Sequence, residues 1–427
     1  MQLFQDLMPS LHLRRWTPAV LRKHLLKEET ESIETLCRMM MDSDGEYSSL
    51  LLSARILNAF ENLNSDQRMA FFATLLDDYD IELPDIRAAL AAYERSPDAT
   101  TLLRLTSASE PRRQELLRRI NLTPGATRRL VKMREHLLDA VRQDPALKRV
   151  DADFHHLFNS WFNRGFLVLE PLDWTTPAHI LEKIIAYEAV HEIGSWRELR
   201  SRLEPADRYC YGFFHPSMED EPLVFVEVAL TDSIPHGIGE ILRTERDIGI
   251  PEEQTCAIFY SISNCHRGLA GVSFGNFLIK QVATSMKQRF PQLKNFSTIS
   301  PVPGLHQWLG GIAAEDAEAA ALMAEFGVDS PEDSCNRLGK YAARYLLELK
   351  DDRGKPLDPV ARFHLKNGAR LERINVLGNP SDSGMKASLG TMVNYVYDLS
   401  RVEQNHENYV RDNKIACSQQ VSKMLRK

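Results

Sequence analysis

The chain has 427 residues, 43% hydrophobic and 26% charged, and its 52 Lys+Arg against 59 Asp+Glu leave a net charge of −7. That apolar content with so mild a charge excludes a disordered chain, and the acidic balance excludes a dedicated nucleic-acid binder, which carries a basic face. At roughly 100–200 residues per domain, the length accommodates two or three domains.

The first 165 residues read in helical period and hold only Gly45, Gly125 and Gly165 of the 21 glycines. Thr17-Pro18 is a cap with proline at the first helical position, leading Val20, Leu21, Leu25 and Leu26 along one face. Leu50–Phe60, Met69–Leu76, Ile86–Tyr93 and Leu116–Ile120 repeat the pattern, and Thr123-Pro124 opens a helix through Leu138 and Val141. Asn64-Ser65-Asp66 is a short polar connector, and Arg112-Arg113 and Arg118-Arg119 read as solvated helix faces. The expectation is an all-helical bundle over residues 1–165.

A different pattern begins near Phe166. Residues 223–230 (Leu-Val-Phe-Val-Glu-Val-Ala-Leu) and 255–262 (Thr-Cys-Ala-Ile-Phe-Tyr-Ser-Ile) are rich in aliphatic, β-branched and aromatic side chains and read as strands. Helices are expected over Pro177–Val190, Phe277–Phe290 and Asn336–Leu349. The whole is therefore α+β: a helical front part, then a mixed domain over 166–427.

No segment reads as a membrane span, because the longest uncharged run, Asn295 to Ala314, contains Pro301, Pro303, Gly304 and His306. The N-terminus lacks the apolar stretch of a secretory signal. Six scattered cysteines without a C-x-x-C pair point to a reducing compartment, so a cytoplasmic protein is expected.

Four stretches could carry chemistry. Ser261 to Asn276 leads from a strand into a helix, and Gly268, Gly271 and Gly275 would let the backbone approach an anion such as a phosphate at the helix N-terminus. An ordinary glycine-rich turn explains the same pattern, and neither phosphate-loop fingerprint is present. Gly271-Val-Ser273-Phe-Gly275 matches a hydrolase nucleophile elbow, but the strand ends about ten residues too early for one. Phe296 to Gly304 packs hydroxyls, Ser300 among them, beside two prolines and also reads as a plain loop.

In Asp358-Pro359 to Gly368, Asp caps a helix and Gly closes it, leaving His364 in the last turn. There the helix dipole favours a protonated imidazole by about 0.3–1 kcal/mol. Ser388 to Tyr397 reads as either a strand or a helix. The histidines form no metal-spaced cluster with carboxylates or thiols, so no metal site is readable.

Taken in order, these segments resemble the malonyl-CoA decarboxylase family. The likeness rests on Ser261-Ile-Ser-Asn with Gly268 to Lys280, Phe296 to Gly304 with Trp308-Leu309, Ala361 to Ala369 with Ile374-Asn375, and Ser388 with Asn394-Tyr395-Val-Tyr397. The resemblance implies a helical N-terminal domain used in oligomer contacts and a catalytic domain with the acetyltransferase (GNAT) fold.

It further implies malonyl-CoA as the substrate, no cofactor, and a homotetramer. Carried over by position, Ala270, Gly271, Val272, Ser273, Phe274, Gly275 and Asn276 would cradle the CoA pyrophosphate. Ser300 and His364 would be the catalytic pair, with Ser261 and Tyr397 supporting the pocket. Loss of CO₂ leaves an enolate that the thioester carbonyl itself can hold.

Animal members carry an acid at the place of Ser273, and they end in a peroxisomal tripeptide where this chain has Met424-Leu-Arg-Lys427. A bacterial-type cytoplasmic enzyme is the expectation. The rival readings are a GNAT-type acyl-CoA acyltransferase and a non-catalytic CoA-ester-binding regulator.

Overall fold

The computed structural model of the protein describes residues 31–43, 45–272 and 278–425, and the chain divides into two compact units. The first extends to Asn163 and takes in two short later segments, Pro216–Glu219 and His266–Val272; the rest of the described chain from Arg164 forms the second. Among the described residues no helix is long and apolar enough to cross a membrane.

In the first unit the described helices are Ile33–Asp42, Glu46–Asn62, Ser65–Asp77, Leu83–Arg95, Ala99–Ala108, Arg112–Ile120, Ala126–Gln143 and Lys148–Trp161. The helix expected after Thr17-Pro18 lies outside the described residues. Asn64 is more than a connector: its side chain and that of Gln67 bond each other's backbone N–H in a capping box. The helix expected from Thr123-Pro124 starts at Ala126, because Gly125 sits in the left-handed region at φ 75° and turns the chain first.

Phe60, Phe71 and Phe72 pack ring to ring at 5.5–5.9 Å in the core, each worth about 1.5–3 kcal/mol on burial. Two of the four arginines read as surface charges are not. Arg113 is 2% exposed and binds the Asp153 and Asp80 carboxylates, while Arg119 donates to the Met40 and Ser43 carbonyls at 3.0 Å. Each satisfies groups that would otherwise be left unpaired.

The second unit is built on one mixed sheet: β1 (Val168–Leu172), β2 (Arg208–Phe214), β3 (Pro222–Thr231), β4 (Cys256–Asn264), β5 (Asn295–Thr298), β6 (Ser300–Pro301), β7 (Arg370–Asn375) and β8 (Met392–Val396). The order is β1-β2-β3-β4-β5-β8-β6, with β7 also on β8. Every pairing is antiparallel except β4–β5, which is parallel. The class is therefore α+β as expected: a helical part followed by a domain built on one mixed sheet.

β3 and β4 were legible because both are apolar runs with packed surfaces on either side. Within Ser388 to Tyr397, Met392–Val396 forms strand β8 while Ser388 ends the helix Asp382–Ser388, and Phe296 to Gly304, readable as a plain loop, contains most of β5 and all of β6. β1 and β7 escape sequence reading because Pro171 and Glu170 interrupt one and Arg370, Glu372 and Arg373 the other.

Two features open the sheet. A bulge at Tyr260 shifts the β3–β4 register between Glu227↔Ser261 and Val228↔Phe259. The β4–β5 pairing runs from Cys256↔Asn295 to Phe259↔Thr298 and ends with Ile299 N–H on the Phe259 carbonyl at 3.3 Å. Beyond it β4 continues to Asn264, whereas the other chain turns to β8 at Ser300↔Val393. The strands part, leaving a gap between the end of β4 and β6.

Candidate functional site

A cavity of about 250 Å³ occupies that gap, lined by Tyr260 and Ile262 of β4, by Ile299, Ser300 and Pro301, by Val190, and by Phe363 and His364. His364 belongs to the helix Pro359–Lys366, which begins as the sequence predicts: Asp358 Oδ1 accepts from Ala361 N–H at 2.7 Å and Pro359 takes the first turn. At the other end Gly368 stands at φ 81°, where a Cβ would lie 2.0 Å from the Val402 carbonyl oxygen, so only glycine fits.

The structure brings Ser300, His364 and Tyr397 together. His364 Nε2 lies 3.1 Å from Ser300 Oγ, and Nδ1 lies 2.7 Å from the Tyr397 hydroxyl. The His364 ring stacks on Tyr395 with centroids 4.6 Å apart. Burial pushes the imidazole down to about 3, so it is neutral near pH 7. The protonated form expected from the helix end does not hold: that effect is worth about 0.3–1 kcal/mol, and a fall of this size, at about 1.4 kcal/mol per pH unit, outweighs it several times.

Burial likewise raises the Tyr397 phenol well above its ordinary value, so it keeps its proton. A neutral imidazole has one donor and one acceptor nitrogen. With Tyr397 donating to Nδ1, the ring proton sits on Nε2 and is donated to Ser300 Oγ. Ser300 in turn donates to Thr298 Oγ1 at 2.9 Å. The chain runs in one direction, from phenol to imidazole to the hydroxyl at the cavity wall.

Sequence reading named Asn375 and Asn394 only as positions that carry the resemblance, and missed that they and Thr298 anchor this chain. Thr298 Oγ1 also accepts from Tyr395 N–H at 3.2 Å, and the Thr298 carbonyl accepts from Asn394 Nδ2 at 2.8 Å. Asn394 Oδ1 accepts from Asn375 Nδ2 at 2.8 Å and from Arg373 Nε at 3.1 Å. The one available signal was spacing: Thr298 and Ser300 are two apart, the interval that puts strand side chains on one face.

Ser261 is placed differently. Its hydroxyl donates to the Glu188 carboxylate at 2.7–2.8 Å and lies 3.2 Å from Ser263 Oγ. Glu188 also accepts from the N–H groups of Val190 and His191 at 2.8 and 2.7 Å. Ser261 thus ties β4 to the segment that carries Val190, a residue of the cavity wall.

Of the glycine-rich segment, Ala270, Gly271 and Val272 fall in the helical unit, while Ser273, Phe274, Gly275 and Asn276 lie outside the described residues. β4 stops at Asn264, well short of Ser273. The Ala270 and Val272 N–H groups are already used, donating to the Arg267 and Leu269 carbonyls at 2.9 and 3.0 Å.

Comparison with known proteins places this site in context. The family model described as the malonyl-CoA decarboxylase C-terminal domain matches residues 165–427, and that of the N-terminal domain matches residues 79–162. The mitochondrial malonyl-CoA decarboxylase of Anser anser anser is 34% identical over 73% of this chain and 69% of its own. That of Mus musculus is 34% identical over 79% and 76%.

Among solved structures, malonyl-CoA decarboxylase from Rhodopseudomonas palustris superposes with a TM-score of 0.86 at 47% identity, covering 92% of this chain and 98% of that one. The enzyme from Agrobacterium vitis gives 0.87 at 47%, covering 92% and 99%. Matches that extend through both domains at this identity carry more than a shared fold: the chain belongs to the malonyl-CoA decarboxylase family of carbon–carbon lyases.

Proposed function

We propose that the protein converts malonyl-CoA to acetyl-CoA and CO₂, with Ser300 and His364 as its catalytic pair. The observation that carries this reading is the directed hydrogen-bond chain Tyr397–His364–Ser300 ending at the wall of the cavity between β4 and β5. The malonyl carboxylate brings a negative charge to a buried, neutral imidazole. That charge favours the imidazolium, so the fraction of His364 that carries a second proton rises as substrate binds.

Cleavage of the bond to the carboxylate releases CO₂ and leaves its electron pair on the thioester enolate. With substrate bound, Ser300 turns its O–H from Thr298 to the enolate oxygen, a contribution of about 10²–10³ in rate for a well-placed donor. His364 Nε2–H then passes its proton to the α-carbon, a general-acid step worth about 10²–10⁴. The ring returns to neutrality with acetyl thioester as product.

The Ala270–Asn276 segment is proposed to take the CoA pyrophosphate. A homo-oligomer is also proposed, supported by the exposed Leu83, Leu90, Leu102 and Leu103 on two helices of the first unit. Malonyl-CoA supplied alone tests the chemistry, since only a decarboxylase yields acetyl-CoA and CO₂ without an acceptor. Ser300→Ala and His364→Asn are expected to lower kcat at least tenfold with the fold retained, a cautious floor on these contributions. Near-normal turnover in both would remove the pair from the mechanism.

A further inference from the structure

From the hydrogen bonds around the glycine-rich loop, we infer that Arg134 is a positioning residue that aims the loop's Gly271 amide at the CoA pyrophosphate. The inference rests on the proposed role of this loop in binding CoA. Arg134 lies on the helix Ala126–Gln143 and is 2% exposed. Its Nη1 donates to the Gly268 carbonyl at 2.8 Å and to the Ala270 carbonyl at 2.9 Å, and its Nε to Asp151 Oδ1 at 2.7 Å. His155, on the next helix, places Nε2 3.0 Å from the Gly271 carbonyl. Three carbonyls of the loop are thus turned toward helical side chains.

Geometry turns this into a statement about the amides. Across a planar trans peptide the C=O of one residue and the N–H of the next point in opposite directions. With the Ala270 carbonyl held on Arg134, the Gly271 N–H is directed away from the guanidinium. The neighbouring amides of Leu269, Ala270 and Val272 are engaged in local turns with the His266, Arg267 and Leu269 carbonyls.

The Gly271 N–H is left with no acceptor among the described residues, and its φ of 80° is a conformation that glycine adopts without strain. Gly268 makes the arrangement possible, since a Cβ there would lie 2.0 Å from the Val131 carbonyl oxygen. Arg267, bonded to Asp139, fastens the same loop from its other end. An amide with no acceptor among the described residues, in a turn held by Arg134 and Arg267, is a donor that a phosphoryl oxygen can take.

The test compares malonyl-CoA with malonyl-pantetheine, which lacks the pyrophosphate and nucleotide. Arg134→Gln is expected to raise KM for malonyl-CoA about tenfold, the loss of roughly one hydrogen bond to a charged group. KM for malonyl-pantetheine should stay within about twofold of the native value, because that substrate makes no demand on the loop. Equal increases for the two substrates, or an unchanged KM for malonyl-CoA in a folded Arg134→Gln protein, would overturn the role of Arg134 alone.

Native enzyme that shows no preference for malonyl-CoA over malonyl-pantetheine would remove the loop's role, and that of Arg134 with it. If Arg134→Gln does not fold, Arg134→Lys and Asp151→Asn make the same comparison, since one retains the charge and the other loosens the guanidinium without deleting it. A KM increase confined to malonyl-CoA in either supports the inference, and its absence in both overturns it.

Discussion

Replacing Tyr397 with Phe deletes one oxygen and leaves the ring, so it isolates the phenol's hold on His364. The hydroxyl sits 2.7 Å from Nδ1 in a fully buried setting, and the ring's edge contact with Phe259, with centroids 6.4 Å apart, is kept in the variant. Without the phenol, the Nδ1 lone pair is buried with no donor, which costs about 1–3 kcal/mol.

The imidazole can relieve this by moving its proton to Nδ1. Nε2 then becomes an acceptor, and Ser300 turns its O–H toward the ring instead of toward substrate. If that cost appears in the catalytic step, kcat falls by a factor of about 5–150. The assay is acetyl-CoA formation from malonyl-CoA at saturation, with thermal melting beside it to confirm the fold. Turnover within twofold of native in a protein with unchanged melting would refute the directed chain, because it would show that the tautomer does not depend on Tyr397.

Two further expectations concern protons. Asp358 is fully buried, and burial raises its carboxyl to about 6 against an ordinary value of 3.8. A carboxyl raised in the folded state contributes stability that is present at low pH and is lost as pH climbs through about 6. Asn is an equally good helix cap, so Asp358→Asn should gain on the native protein by up to about 3 kcal/mol between pH 4 and pH 8. Calorimetric melting across that range checks it, and a difference independent of pH would contradict it.

Binding of a non-decarboxylating malonyl-CoA analogue should take up protons, and more of them as pH falls toward 5, because a carboxylate neighbour raises His364 by about 1–3 pH units from its depressed value of about 3. Titration calorimetry in two buffers of different ionisation enthalpy measures this directly. Binding without proton uptake would mean that His364 stays neutral and that the α-carbon is protonated from elsewhere.

Local sequence was enough where structure is made by neighbours in the chain. The cap at Asp358 and the closing glycine at 368 set helix ends through bonds spanning three or four residues. The apolar runs of β3 and β4 required burial on both faces, whereas Ser300, His364 and Tyr397 were named together only through the family resemblance.

Tertiary structure decided the rest, because the decisive contacts join residues far apart in sequence. His364 meets Ser300 across 64 positions and Tyr397 across 33, and only their joint burial makes the imidazole neutral instead of charged. Ser261 answers to Glu188 from 73 positions away, and Arg134 reaches the loop from 134 and 136. Charge and hydrogen-bond capacity are written in each residue, but the partner that uses them, and the solvent removed around them, belong to the packed whole. For the same reason Arg113 looked like surface charge until its two carboxylates were in place.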